Sequence, residues 1–234
     1  MAAVDSRSDR RPNTGEPSVW IFGYGSLCWY PGFEYDKCIT GYIRGYVRRF
    51  WQGNTTHRGT KDKGITWGCA FRVTGNLALD YLRQRECTLG GYSVDYIKFF
   101  PRVASEHSGI SGEAFLALVY VATPKNEHWI GEEPMVETAR QITQCAGPSG
   151  HNVEYLIRLA VFMREELPGA SDEHLFELEG LVRRFVAEAN VPIGSLLGST
   201  PRRIRRDSHE EIRRHVSFEY TSRVPEKKLR CLNI

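Results

Sequence analysis

The chain has 234 residues and a mass of 26.7 kDa, enough for one domain with tails. Hydrophobic residues make up 41% and charged residues 25%, with 5 Trp, 11 Tyr and 11 Phe, which excludes a disordered or fibrous chain. The net charge of +3 is unevenly placed: from Pro201 onward ten Arg and Lys stand against five Asp and Glu, leaving a mildly acidic body unlike a nucleic-acid-binding domain.

The longest unbroken apolar run, Ala114 to Ala122, is nine residues, whereas a membrane span needs roughly 20. The leader MAAVDSRSDRRPNTGEP carries charges and prolines where a signal peptide has an apolar stretch. A cytosolic chain with no membrane and no nucleic-acid partner is expected. Cys28, Cys38, Cys69, Cys87, Cys145 and Cys231 lie far apart with no C-x-x-C pair, which in the cytosol suits free thiols better than disulfides or a zinc site.

In chain order, residues 1–17 read as a disordered leader. Ser18 to Phe22 is a short apolar run closed by Gly23, a buried strand followed by a tight turn. Ile39 to Trp51, aromatic and basic with interspersed glycines, reads as a bent or bulged strand. Ile65, Trp67, Cys69, Phe71 and Val73 alternate as one face of a half-buried strand. Ala78, Tyr81, Leu82 and Arg85 recur at helical spacing, so a short helix carries the chain to Glu86 and breaks at Gly90-Gly91. Tyr92, Val94 and Tyr96 alternate into another strand, and Ala114 to Ala122 is apolar on both faces, as in a central strand.

Beyond Pro124 the pattern turns helical. Glu132 and Glu133 before Pro134 mark a first turn, and Gly147 a stop. Ser149 opens a helix with Val153, Leu156, Ile157 and Ala160 on one side. Ser171 reads as the N-cap of another, with Leu175, Leu178, Val182 and Phe185 as its apolar stripe. Strands first and helices later predict an α+β fold. From residue 189 the periodicity fades into a basic tail.

Gly23-Tyr24-Gly25-Ser26-Leu27 follows a strand but is not a dinucleotide fingerprint, because position 28 is Cys and no acidic residue stands about 20 positions on. It reads either as a plain turn or as a loop whose backbone N–H groups face an anion. Glu86, at a helix end beside apolar and aromatic residues and a Gly-Gly hinge, is either simply solvated or a general base. Cys87 with His57 as a nucleophile pair, and Cys145 with His151 as metal ligands, have little to support them. Arg48-Arg49-Phe50-Trp51 mixes charge and rings as single-strand binders do, but suits an amphipathic barrel strand better. The basic run PRRIRR from Pro201 to Arg206 suits a solvated tail.

Together the segments VWIFGYGSL (19–27), GYVRRFWQGNTTHRG (45–59), WGCAF (67–71), RECTLGGY (85–92), YVATP (120–124), AGPSGHNVEYL (146–156) and DEHL (172–175) resemble the ChaC-type, glutathione-specific gamma-glutamylcyclotransferases. The resemblance spans roughly residues 18–188, between the leader (1–17) and the tail (189–234). It implies an α+β domain with a small β-barrel, helices packed around it and a helical C-terminal part. It also implies cleavage of the small-molecule substrate glutathione to 5-oxoproline and cysteinylglycine, without metal or cofactor. Glu86 falls on the family's catalytic glutamate. Gly23, Tyr24, Gly25, Ser26 and Leu27 would clamp the glutamyl part, with Tyr92 as a further hydrogen-bonding residue.

Members of that family carry a further strand with a Pro-Gly-Arg-type motif between the HRG and WG segments. Here only TKDKGIT separates Gly59 from Trp67. This predicts that Ile65–Val73 lacks a neighbour on one edge, leaving unpaired backbone and thinner cover over Trp67 and Phe71. Two alternatives stay open: cyclisation of other gamma-glutamyl amino acids or amines, which Glu86 and the glycine loop would serve equally, and, because of the absent strand, a weak or inactive relative that serves as a binding protein.

Overall fold

The computed structural model describes residues 17–50, 64–88, 90–102, 112–122, 132–147 and 150–198. Among them β1 (Ser18–Gly23), β2 (Lys37–Arg44), β3 (Ile65–Thr74), β4 (Ser93–Pro101) and β5 (Phe115–Val121) form a closed barrel in the order β1-β3-β2-β4-β5. Every pairing is antiparallel except β1 with β5, which brings Ile21 opposite Leu118 and closes the ring.

The expectation of an unpaired edge on β3 is overturned. One edge pairs with β1 from Ser18↔Thr74 to Gly23↔Cys69, and the other pairs with β2 from Lys37↔Arg72 to Arg44↔Ile65. The neighbour is β2 itself, so no additional strand is needed there. Trp67 lies against Tyr42 with ring centroids 4.9 Å apart, and Phe71 is buried. The HRG segment and the first four residues of the shortened connection fall in 51–63, outside the described residues.

Closing five strands requires tight curvature, and glycine supplies room at the narrowest point. Gly41 and Gly68 face each other across β2 and β3. A Cβ on Gly68 would fall 2.2 Å from the carbonyl oxygen of Gly23, and one on Gly41 would fall 2.3 Å from that of Phe100. Phe22, Ile39, Ile43, Ala70, Phe99, Ala117, Val119 and Val121 fill the interior. On the outside, Ile21, Cys69, Phe71, Val73, Leu118 and Tyr120 join a second core shared with the helices. Strand β3 is therefore covered on both faces through its middle rather than half-buried.

The strand expected from Tyr92, Val94 and Tyr96 is β4, and its cover is one-sided. Val94 and Tyr96 are 46% and 61% exposed, and the buried residues are Phe99 and Pro101. The helices lie over β1, β3 and β5, so alternation along β4 marks an outward face. The run from Ile39 is also a strand only to Arg44. The chain turns at Gly45, whose φ of +83° favours glycine, and Tyr46 to Phe50 continue without strand pairing.

Helix α1 (Leu77–Leu82) runs directly into a π-turn, Arg83–Thr88. Helices α2 (Met135–Gln144), α3 (Asn152–Glu166) and α4 (Glu173–Glu188) follow. The start of α3 is at Asn152, where His151 Nδ1 accepts from the Val153 N–H at 3.2 Å; Ser149 lies outside the described residues. The cap of α4 is Asp172 rather than Ser171, accepting from the Leu175 N–H at 3.1 Å. Its stripe ends on Val186 rather than Phe185, and Glu179 is buried beside it, paired with Arg164 and Arg183. The described chain continues past residue 188: Ile193, Leu196 and Leu197 pack on the core, and Arg158 Nη2 donates to the Gly198 carbonyl at 3.2 Å. No helix among the described residues is long and apolar enough to cross a membrane.

Candidate active site

Strand β1 delivers the Gly23–Leu27 loop to one end of the barrel, where the chain bends into a single 3-10 turn, Ser26–Cys28. The first N–H to find a partner in that turn is that of Cys28, bonded to the Gly25 carbonyl at 2.9 Å. The N–H groups of Ser26 and Leu27 therefore precede the turn's own hydrogen bonds. Backbone must come close here: a Cβ on Gly25 would sit 2.5 Å from the Tyr155 hydroxyl.

The loop is fastened from two sides. The Tyr24 hydroxyl donates to the Tyr120 carbonyl at 2.8 Å, tying it to β5. Burial, followed by the nearby Tyr92 and Glu86, pushes the Tyr24 phenol far above its ordinary range, so it remains a neutral donor. On the other side Arg48 Nε donates to the Tyr24 carbonyl at 3.0 Å and Nη2 to the Trp67 carbonyl at 2.6 Å, while Nη1 pairs with the Asp172 carboxylate. The arginine is buried, so its charge is balanced by that single acidic cap of α4.

Glu86 arrives from the opposite wall, in the π-turn, and is buried at 6% exposure. Arg85 Nε lies 3.0 Å from its Oε1. The chain then doubles back: the Gly91 N–H donates to the Cys87 carbonyl at 2.9 Å and the Tyr92 N–H to the Glu86 carbonyl at 3.0 Å. Gly91, at φ +65°, makes that reversal, and Gly90 has no room for a Cβ, which would lie 2.4 Å from the Glu86 carbonyl oxygen.

All seven positions singled out in the sequence (Gly23, Tyr24, Gly25, Ser26, Leu27, Glu86 and Tyr92) line one cleft. The other groupings form no site among the described residues. Burial, then Glu86, raises the Cys87 thiol's pKa, the opposite of an activated nucleophile, and His57 is outside the described residues. His151 serves as a helix cap, and no cluster of three or more His, Cys, Asp or Glu suited to a metal occurs among the described residues. Arg48 and Phe50 turn inward to the cleft instead of forming a nucleic-acid face.

The ChaC-like protein family matches residues 19–185. The chain belongs to that family. Among relatives of the ChaC-like chain, glutathione-specific gamma-glutamylcyclotransferase 1 of Danio rerio is 46% identical over 180 residues, 70% of this chain and 89% of that protein. Its Homo sapiens counterpart is 46% identical over 179 residues, 70% of this chain and 78% of that protein. In structure, a yeast gamma-glutamylcyclotransferase specific to glutathione superposes with a TM-score of 0.61 at 26% identity, covering 72% of this chain and 96% of the yeast chain.

Sequence reasoning missed several residues that line the cleft of this ChaC-like domain, Tyr120, Tyr155 and Leu159, and read Arg48, Arg49 and Phe50 differently. Tyr155 was visible only as part of AGPSGHNVEYL. Its ring meets Trp29 edge-on at 5.1 Å and Phe50 at 6.3 Å, contacts that no spacing along the chain foretells.

Proposed function

We propose that this chain cleaves glutathione by intramolecular cyclisation, releasing 5-oxoproline and cysteinylglycine, and that it does so in the cytosol. The observation that carries the reading is the buried carboxylate of Glu86 facing the Gly23–Leu27 loop across one cleft. The names of the relatives supply the substrate class. The five described cysteines are all free thiols, which suits a reducing compartment.

In this reaction the substrate's α-nitrogen attacks its own γ-carbonyl carbon. A C–N bond closes the five-membered lactam, and the C–N bond to the cysteinyl nitrogen breaks. The attacking nitrogen enters as an ammonium and ends as a lactam N–H, so it gives up two protons. The departing nitrogen leaves as an ammonium and gains two. Glu86 is the group proposed to carry them in succession. Holding the glutamyl chain folded converts a rare conformer into the bound one, which supplies much of the acceleration. The N–H groups of Ser26 and Leu27 are suited to the carbonyl oxygen as negative charge develops on it. Tyr24 and Tyr92 would line the glutamyl pocket, with Gly23 and Gly25 keeping the backbone close.

The test is Glu86→Gln, which keeps the shape and removes the base. Release of 5-oxoproline from glutathione is expected to fall by at least ~10²-fold, and equal release by both proteins would remove Glu86 from the mechanism. Parallel assays with gamma-glutamyl-alanine decide the substrate, since faster turnover of that compound would replace glutathione in the assignment.

A further inference from the structure

Behind the cleft, Arg85 touches both of its working walls. Its Nη2 donates to Ser26 Oγ at 2.7 Å, and its Nη1 donates to the Pro31 carbonyl at 3.2 Å and the Tyr81 hydroxyl at 3.3 Å. Its Nε lies 3.0 Å from Glu86 Oε1. That last contact is Coulombic: among the described residues Nε has no partner at hydrogen-bond geometry. The guanidinium is planar and rigid, so the contacts on its three nitrogens fix the positions of their partners relative to one another.

Arg85 and Glu86 are consecutive in the π-turn Arg83–Thr88, and their side chains meet there through Nε and Oε1. The same turn leaves Glu86, but not Arg85, among the cleft-lining residues. Arg85 thus supports the site from the second layer, with a side chain 11% exposed.

Ser26 gains a direction from this contact. Its oxygen accepts from Arg85 Nη2, so its own O–H is the donor left to point elsewhere, and Ser26 lines the cleft. A hydroxyl that accepts from a guanidinium is a stronger donor in turn, through cooperative polarisation.

We infer that Arg85 is a positioning residue that sets the spacing between the carboxylate of Glu86 and the Ser26 loop, and that it aims the Ser26 hydroxyl at the substrate as a side-chain donor. This rests on the cyclotransferase reading for its chemistry but not for its geometry. The substrate group such a donor fits is a carboxylate or the oxygen of the attacked carbonyl.

The experiment compares wild type with Arg85→Gln, Arg85→Lys, Ser26→Ala and the doubles Arg85→Gln/Ser26→Ala and Arg85→Gln/Glu86→Gln, each checked by thermal melt. Misplacing reacting groups by an ångström costs on the order of 10²-fold in rate. Arg85→Gln is therefore expected to lower kcat by about 10- to 100-fold while KM moves less than about threefold. Arg85→Lys should recover part of kcat, because a point charge can sit near Glu86 but cannot also bridge to Ser26. Adding Arg85→Gln to Glu86→Gln should cost little more, since the two act together. An unchanged kcat in Arg85→Gln, or a full and additive loss in both doubles, overturns the inference. Hydrogen exchange reads the same geometry without turnover: Arg85→Gln should accelerate exchange in 24–30 and 83–92 and leave β3 and β5 unchanged. If wild type releases no 5-oxoproline, the cyclotransferase reading fails, while local exchange still decides for the bracket and uniform or absent change decides against it.

Discussion

The ion pair between Arg48 and Asp172 offers the sharpest quantitative test of how the cleft is held. Arg48 is 5% exposed and the Asp172 side chain 10%, so neither charge has water to fall back on. Replacing Arg48 with Met fills similar space but leaves Asp172 as a buried, uncompensated carboxylate, a loss of about 3–5 kcal/mol. The carbonyls of Tyr24 and Trp67 lose their donors in the same step. Against a domain stability of about 5–15 kcal/mol this is roughly a fifth of the margin or more. For a chain of this size it corresponds to a melting temperature lower by roughly 6–20 °C. Asp172→Asn keeps an oxygen to cap α4 and removes only the charge, so it should cost about as much by stranding the arginine. The double variant should recover a large part of either loss, because no unpaired charge remains. Urea unfolding of the four proteins gives the cycle. An Arg48→Met protein within about 1 kcal/mol of wild type, or single losses that simply add in the double, would refute the buried-pair argument.

Two further outcomes follow from the packing and the charges. Gly68→Ala drives a Cβ into the Gly23 carbonyl, a backbone atom at 2.2 Å that cannot step aside, so the barrel should lose about 1–3 kcal/mol or more in chemical denaturation; a neutral result would mean that closure is looser than described. His174, half-buried and stacked on Phe50, has its pKa lowered to about 4 by burial first and by Arg49 and Arg48, with Asp172 opposing them. The unfolded chain takes up that proton near the ordinary imidazole value of about 6.5, so its contribution is present above that pH and lost as pH falls toward about 4. Urea midpoints between those limits should decline less steeply in His174→Gln than in wild type, and identical slopes would remove His174 from the acid response.

Much of this architecture was legible in the amino-acid order. Period-two alternation marked β3 because its helix-facing side carries the large apolar residues while its barrel-facing side is small at Gly68 and Ala70, and the nine-residue apolar run marked β5 because both its faces are covered. The Gly23–Leu27 loop and Glu86 were visible as segments whose residue types exceed what a turn or a solvated helix end requires. What alternation cannot say is which face meets the helices. On β4 the regular apolar pattern of Val94 and Tyr96 points outward, since α2, α3 and α4 pack over the far side of the barrel. Pairing partners are equally hidden. That β2 takes both β3 and β4 as neighbours, so that the shortened connection leaves no bare edge on β3, depends on closure of the ring.

The cleft shows the same division. Sequence determined the chemistry that each short segment brings: backbone without side chains at Gly23 and Gly25, a carboxylate at Glu86 and a hinge at Gly90-Gly91. Only tertiary structure decided that Arg48 gives its charge to Asp172, 124 positions away, and that Arg85, next to Glu86 in the chain, reaches Ser26 across 59. Side-chain direction within an element follows from local periodicity. The identity of a polar partner follows from where the chain returns, because a buried charge must be met by whichever element passes within about 3 Å of it.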